Sequence, residues 1–324
     1  HYFKINDKTN LNSSATYQIG KIANSNIDYQ NANSPDPTYY RKMPSYYSSL
    51  YEKDKGEFSG AFTPDYENAE KSKTSFLANS QIDWNAIYKA NQTPVLDANG
   101  IISGYEPKKS KYVLYEDQVE DQTGVFKTNL SSQLSENFFL NAGASFQKLK
   151  SHYSQHLLDL LGGLYFDDID PFYKGSQSQS DLNNPNRQVV VGDTYGYNYN
   201  YFATILEAFT QFKFSYNKVD FYLAQQFSTR YYQREGLYKN GIYETNSFGK
   251  SEIVTFENFG FKAGLNLKIS GKQLVTFNAA HLTKAPALRN TFPNSRLNNS
   301  IVNGLESENI SSVDLSYIYR TPML

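Results

Sequence analysis

Stretches in which apolar and polar residues alternate recur along this 324-residue chain, and they constrain its fold more than any other feature. In Phe259–Ile269 every second residue is Phe, Ala, Leu or Ile, and the residues between them are Gly, Lys or Asn. Because successive side chains of a strand point to opposite faces of a sheet, this period predicts a β-strand with one apolar face. A half-buried strand of a water-soluble sheet has the same pattern, so one strand alone does not define the class of protein.

The same alternation predicts an all-β, antiparallel chain of about nine strands. The predicted segments are Tyr2–Asn6, Asn10–Ile22, Phe126–Leu134, Phe138–Gln147, Leu206–Tyr216, Val219–Arg230, Phe259–Ile269, Val275–Ala279 and Val313–Arg320.

The connections between these segments alternate regularly in length. Tight turns are predicted at Asp7-Lys8, Glu136-Asn137, Asn217-Lys218 and Gly271-Lys272. Long connections cover about 23–110, 151–196, 236–250 and 285–308. This order is typical of an outer-membrane β-barrel, with turns in the periplasm and long loops outside the cell. We therefore expect a transmembrane antiparallel β-barrel in the outer membrane, in contact with its lipid.

The composition agrees with this interpretation. Aromatic residues make up 16% of the chain, with 28 Tyr, 22 Phe and a single Trp, while the mean hydropathy is −0.61. Barrels combine aromatic girdles with polar interiors in this way. The sequence has no run of apolar residues that could form a transmembrane helix. A net charge of −1 gives no reason to expect a nucleic-acid partner, and the absence of Cys excludes disulfides and thiolate metal sites.

The two ends and the strand number lead to a further expectation. The sequence starts HYFKIND, without Met or a signal peptide, and stops within a predicted strand. Single-chain bacterial barrels have an even number of strands, and an open sheet edge in lipid would leave backbone groups without hydrogen bonds. We therefore expect residues 1–324 to be an internal part of a larger barrel.

The longest connection is rich in Pro and Tyr, which argues against disorder; these residues are Pro35, Pro37, Pro44, Tyr39, Tyr40, Tyr46, Tyr47 and Tyr51. A short helix is predicted at Ile82–Tyr88, with Asp83 as its N-cap. A second helix is predicted at Gln155–Leu161, ended by Gly162 and Gly163.

Several blocks of sequence resemble TonB-dependent receptors of the Bacteroidota type, in particular those with a carboxypeptidase-regulatory-like N-terminal domain. The blocks are PDPTYYRKMPSYY (35–47), QIDWNAIY (81–88), SKYVLYEDQ (110–118), LDLLGG (158–163), YNKVDFYLA (216–224), YQREGLYKNG (232–241) and TKAPALRNTFPNSRLNN (283–299). The resemblance extends in order over nearly the whole chain. It implies a barrel of about 22 strands, an N-terminal plug, and a TonB box that energises uptake. None of those N-terminal parts lies within residues 1–324.

No enzyme activity, cofactor or metal is expected. His152 and His156 would share one face of a helix, but no further ligand has the spacing of a known metal motif. The segment FDDIDPF (166–172) offers oxygen ligands for Ca²⁺, yet it lacks the Gly and the closing Glu of a calcium loop. His281 shares the apolar face of its strand, away from any nucleophile in the lumen.

Arginines in the long loops are the candidate ligand-binding residues, since guanidinium groups beside aromatic rings suit capture of a nutrient at a barrel mouth. They are Arg187, Arg234, Arg289 and Arg296. Alternatively, these arginines and Arg230 hold a plug domain through its carboxylates. Three functions follow: a receptor that imports a nutrient using TonB, a barrel subunit of a larger outer-membrane complex that includes a surface lipoprotein or other membrane proteins, and, less favoured, an adhesin.

Overall fold

The computed structural model describes residues 1–48 and 64–321, and these residues form mostly antiparallel β-sheet. Tyr51 of the predicted aromatic loop lies outside the described residues. The strands are β1 (Tyr2–Asn6), β2 (Thr9–Tyr29), β3 (Gln92–Leu96), β4 (Ile102–Pro107), β5 (Tyr112–Gln133), β6 (Phe138–Asp159), β7 (Phe166–Asp167), β8 (Gln188–Val189), β9 (Thr194–Ser215), β10 (Val219–Gly236), β11 (Gly249–Lys250), β12 (Val254–Ser270), β13 (Gln273–Lys284) and β14 (Glu308–Tyr319).

The main sheet is an antiparallel meander with the order β1-β2-β5-β6-β9-β10-β12-β13-β14. All nine predicted strands are therefore confirmed as its members, and the short strand β11 is added beside β10. Within the described residues β1 and β14 form the two edges and do not pair with each other, so the sheet is not closed. The all-β class is confirmed, whereas the barrel remains a prediction.

The strands reach much further on the side of the long connections than the sequence predicts. Strand β6 has 22 residues and β2 has 21, whereas their predicted segments end at Gln147 and Ile22. The boundaries at the tight turns are correct. Between the long strands of the main sheet, the long connections cover residues 30–111, 160–193, 237–253 and 285–307.

The predicted helix at Gln155–Leu161 is wrong, because β6 continues to Asp159. Its residues pair on both sides, Leu157 with Tyr115 of β5 and Gln155 with Tyr195 of β9. Strand pairing on two sides outweighs a local apolar pattern that suits a helix. The chain instead turns just after the strand, where Leu161 and Gly162 adopt positive φ angles of 49° and 85°.

The connection between β2 and β5 has its own structure. It contains α1 (Pro44–Ser48), α2 (Tyr66–Ala78), α3 (Trp84–Ala90) and the β3–β4 hairpin. The prediction of a helix capped by Asp83 is confirmed, since the Ala86 amide donates to the Asp83 carboxylate at 2.9 Å. The tyrosines of this connection pack edge to face, with 5.6 Å between the ring centroids of Tyr40 and Tyr46.

Asn91, directly after α3, fastens this connection to the main sheet. Its side chain is fully buried. The amide group donates to the backbone oxygens of Tyr112 and Leu160 at 2.7 and 2.9 Å, and the side-chain oxygen accepts from the Lys111 amide at 2.7 Å. Every polar atom of Asn91 is thus satisfied by backbone at the start of β5 and the end of β6.

Candidate functional site

One face of the main sheet carries exposed apolar side chains on seven neighbouring strands, β5 to β14 in the order of the sheet, and we call it the belt face. Its exposed members are Phe126, Phe146, Leu206, Leu223, Phe227, Phe259, Phe261, Leu265, Leu267, Phe277, Val313, Leu315 and Tyr317. The pairing register makes them contiguous: Leu265 lies opposite Phe221 and Phe277, and Phe277 lies opposite Leu315. Monomeric soluble proteins rarely expose apolar patches of such extent.

The apolar part of the belt face has a limited height. On β6 it runs from Phe138 to Phe146, and on β9 from Leu206 to Phe214, which is nine residues on each strand. A tilted strand needs about 9–11 residues to cross the hydrocarbon core of a bilayer. The height of the belt therefore matches that core.

At the same height the opposite face, here the polar face, carries hydrogen-bonded polar side chains. Asn141 donates to Gln211 at 3.2 Å and accepts from Ser131 at 2.9 Å. Arg230 donates to Glu207 at 3.2 Å. These hydrogen bonds join side chains of neighbouring strands across this face.

Closer to the long connections the polar face becomes aromatic and buried. The tyrosine cluster consists of Tyr197, Tyr199, Tyr201, Tyr232 and Phe256, together with Ala203, Ala285 and Phe292. The connection between β13 and β14 covers it, and the Phe292 ring centroid lies 5.6 Å from that of Tyr201. The sequence signal for the extended β9 is the repeat TYGYNYNY at 194–201, in which every second residue is Tyr. The predicted strand Leu206–Tyr216 did not include this repeat.

Arg234 is buried at the edge of this cluster and joins three segments. Its guanidinium lies over the Tyr199 ring, 5.0 Å from the centroid. It donates to the backbone oxygens of Ser295 and Ser247 at 2.7 and 3.1 Å and to the Asn299 side chain. Burial lowers the pKa of Arg234 to about 10. This predicted ligand residue is used to hold loops in place.

Arg296 and Asp117 join the same loop to β5. The Arg296 guanidinium lies 3.0 Å from the Asp117 carboxylate and 4.5 Å from the centroid of the Tyr197 ring. The Tyr197 hydroxyl donates to the other Asp117 oxygen at 2.5 Å. Burial, followed by this hydrogen bond, raises the pKa of the Tyr197 hydroxyl.

The other two candidate arginines differ in their surroundings. Arg187 lies 3.3 Å from the buried Asp168 carboxylate and donates to the Tyr238 hydroxyl at 3.2 Å. Burial raises the pKa of Asp168 although Arg187 and the Gly196 amide favour its ionised form. Arg289 is exposed and has no hydrogen bond or ion pair within the described part of the chain. Three of the four candidate arginines, Arg187, Arg234 and Arg296, therefore bind groups of the protein itself.

The residues considered as metal ligands in the sequence contact other groups of the protein. His152 and His156 lie on β6, not on a helix, and contact Asn198 at 2.7 Å and Ser154 at 3.0 Å. Asp167 binds Lys109, and the Asp170 carboxylate accepts from the Phe172 amide at 3.0 Å. The described residues contain no group of three or more His, Cys, Asp or Glu that could hold a metal ion.

No protein-family model matches the chain. No curated protein matches it either. Within residues 1–48 and 64–321, no helix is both long and apolar enough to span a membrane.

Proposed function

We propose that this chain is part of an outer-membrane β-barrel of the TonB-dependent receptor type, which takes up a nutrient across the outer membrane. The observation that carries the proposal is the belt face, because a broad exposed apolar surface needs an apolar environment. The proposal requires β1 and β14 to pair with further strands, since an open sheet edge in lipid would leave backbone groups unsatisfied.

The energetics support lipid as the cover of the belt. Transferring the exposed part of a half-buried Phe or Leu side chain from water to hydrocarbon is favourable by roughly 1 kcal/mol. Transfer of the thirteen exposed belt residues from water to the hydrocarbon of a bilayer would therefore be favourable by on the order of 10 kcal/mol. That free energy is as large as the whole stability of a typical domain.

The distribution of polarity along the strands supports a bilayer over a covering protein layer. Beyond Phe146 on β6, the next three side chains of the belt face are polar, namely Lys148, Lys150 and His152. The polar face becomes aromatic at the same height, where the loops cover it. A slab of hydrocarbon with water beyond it accounts for both changes.

The membrane proposal is tested by the adjacent residues Ala279 and Ala280 of β13. Ala279 lies on the belt face opposite Ala263 and Val313, and Ala280 lies on the polar face opposite Lys262. We expect Ala279→Arg to lower the free energy of unfolding in lipid vesicles by about 2–4 kcal/mol. Ala280→Arg, the matched control, should cost less than about 1 kcal/mol, which is the effect of a like-charged cross-strand pair with Lys262. Equal effects of the two substitutions would contradict a lipid-facing belt.

Transport is proposed from the resemblance of the sequence, and the alternative is a barrel subunit of a larger outer-membrane complex. The internal use of Arg187, Arg234 and Arg296 favours the alternative, since it leaves prefolded loops that suit docking. Deleting the TonB box of the full-length protein distinguishes the two. A transporter should lose growth on one nutrient, while a structural subunit should still co-purify with its partners and support growth.

A further inference from the structure

We propose that three lysines at the upper rim of the belt bind the phosphate of an anionic lipid headgroup. They are Lys148, Lys150 and Lys250, named here the rim lysines. This inference rests on the proposed membrane position of the belt and adds a chemically defined lipid partner to it.

The register places the rim lysines directly beyond the hydrocarbon part of the belt. Lys148 and Lys150 follow Phe146 on the same face of β6, so they lie about 7 and 13 Å beyond it along the strand. Lys150 is opposite Phe202 of β9. The Lys250 ammonium lies over that same ring, 5.9 Å from the centroid. Lys150 and Lys250 therefore flank one half-buried aromatic side chain, and Lys148 is the next residue of β6 on the same face.

The rim lysines have no carboxylate partner within the described residues, although all three are exposed. The nearby acidic groups of this face have other partners. Glu120 lies 3.8 Å from Lys21. Glu235 is opposite Lys250 in the register, and its carboxylate accepts from Asn200 at 3.0 Å. A further carboxylate of the face, Glu257, is on β12, two strands beyond β9. Lys148 and Lys150 have no carboxylate opposite them on either neighbouring strand. Lys250 lies over the Phe202 ring and forms no ion pair with Glu235 among the described residues.

The position favours a lipid over a soluble anion. Long lysine side chains bury their methylene groups against apolar surface and extend the ammonium to the headgroup level. Tyr17 and Tyr231, both exposed, occupy the same row of the sheet as Lys148. Aromatic residues of this kind occupy the interface between hydrocarbon and water. A phosphate of the same membrane that contacts the belt would meet all three ammonium groups.

The test uses the full-length protein in neutral detergent micelles, titrated with phosphatidic acid and separately with phosphatidylcholine. We expect a clear preference for phosphatidic acid that weakens with salt, because each interfacial lysine contributes about a fivefold change in affinity. Replacing all three rim lysines with Gln should abolish the preference. The matched control replaces Lys127, Lys213 and Lys262 of the polar face, which removes the same charge, and should preserve it.

Three results would overturn the inference. The preference could persist in the rim variant, or it could be lost equally in the control variant. Inorganic phosphate could also displace phosphatidic acid at equal concentration, which would identify a soluble anion site. Flotation of the wild-type protein with phosphatidylcholine vesicles tests the membrane proposal separately, because it does not depend on headgroup charge.

Discussion

At the residue scale, Arg234 carries a positive charge into the covered half of the sheet without a carboxylate partner among the described residues. Its charge is satisfied by backbone oxygens and by the face of Tyr199. Because burying a charge has a large desolvation cost, Arg234 positions the loop that it binds more than it stabilises the fold. Arg234 thereby fixes where the loop that contains Ser295 crosses the tyrosine cluster.

We expect Arg234→Gln to release that loop. The substitution removes hydrogen bonds to Ser295, Ser247 and Asn299 and leaves buried oxygens unsatisfied, at a cost of about 3 kcal/mol. Hydrogen exchange should accelerate in residues 285–307 while the belt half of the strands stays protected. Arg289→Gln is the control, since Arg289 is exposed. Unchanged exchange in the first variant would show that Phe292 and its neighbours hold the loop without Arg234.

The pKa of Asp28 gives a second prediction at this scale. Burial raises it, although the Tyr195 hydroxyl donates to this carboxylate at 3.0 Å. A raised pKa means that the folded state favours the protonated form, so stability is lost as the pH rises above the ordinary value of 3.8. Asp28→Asn should gain stability relative to wild type between acidic and neutral pH. A constant difference across that range, measured by unfolding, would contradict the burial effect.

Single residues also mark the limit of what the sequence predicts. The capping role of Asp83 was predictable because the residue and its helix are neighbours in sequence. Arg234 donates to Ser295 and Asn299, 61 and 65 residues away, and Arg296 donates to Asp117, 179 residues away. Nothing local in the sequence encodes those contacts. The sequence therefore identified these arginines as candidate functional residues but did not predict their structural roles.

At the element scale, close packing between strands depends on small residues at particular register positions. Gly143 of β6 lies opposite Phe209 of β9 and Asn129 of β5. A β-carbon at Gly143 would collide with the Phe209 ring and with the Asn129 side chain. The glycine thus provides the space in which that ring lies across the neighbouring strand.

We expect Gly143→Val to destabilise the sheet by about 1–3 kcal/mol, because it overpacks this contact. Gly20→Val on β2 is the matched control, since a β-carbon there meets nothing within 4 Å. It should be neutral or slightly stabilising, as Val suits a strand better than Gly. Thermal unfolding in detergent measures both, and equal shifts would exclude a packing role for Gly143.

The strands themselves were predictable wherever one face was apolar and the other polar, as in β12. The prediction failed at the loop end of β6, where polar residues on both faces remove the contrast of the period of two. It also failed at the loop end of β9, where the alternating residue is Tyr, which is not purely apolar. There the strand state depends on pairing with neighbours on both sides, which a single stretch of sequence does not reveal.

At the scale of the whole molecule, alternating short and long connections predicted the sidedness of the sheet correctly. All covering segments of the main sheet leave from the ends opposite the tight turns. The barrel that this order predicts stays a prediction, since β1 and β14 do not pair with each other within the described residues.

The meander order of the main sheet has a consequence for how the protein is made. Each strand pairs with the member of the sheet that precedes it in sequence, so assembly can advance one hairpin at a time along a single growing edge. Even the longest connection, residues 30–111, adds only about 3 kcal/mol of loop-closure entropy relative to a tight turn. The long surface loops can therefore change in length and sequence during evolution without altering the order in which the strands pair.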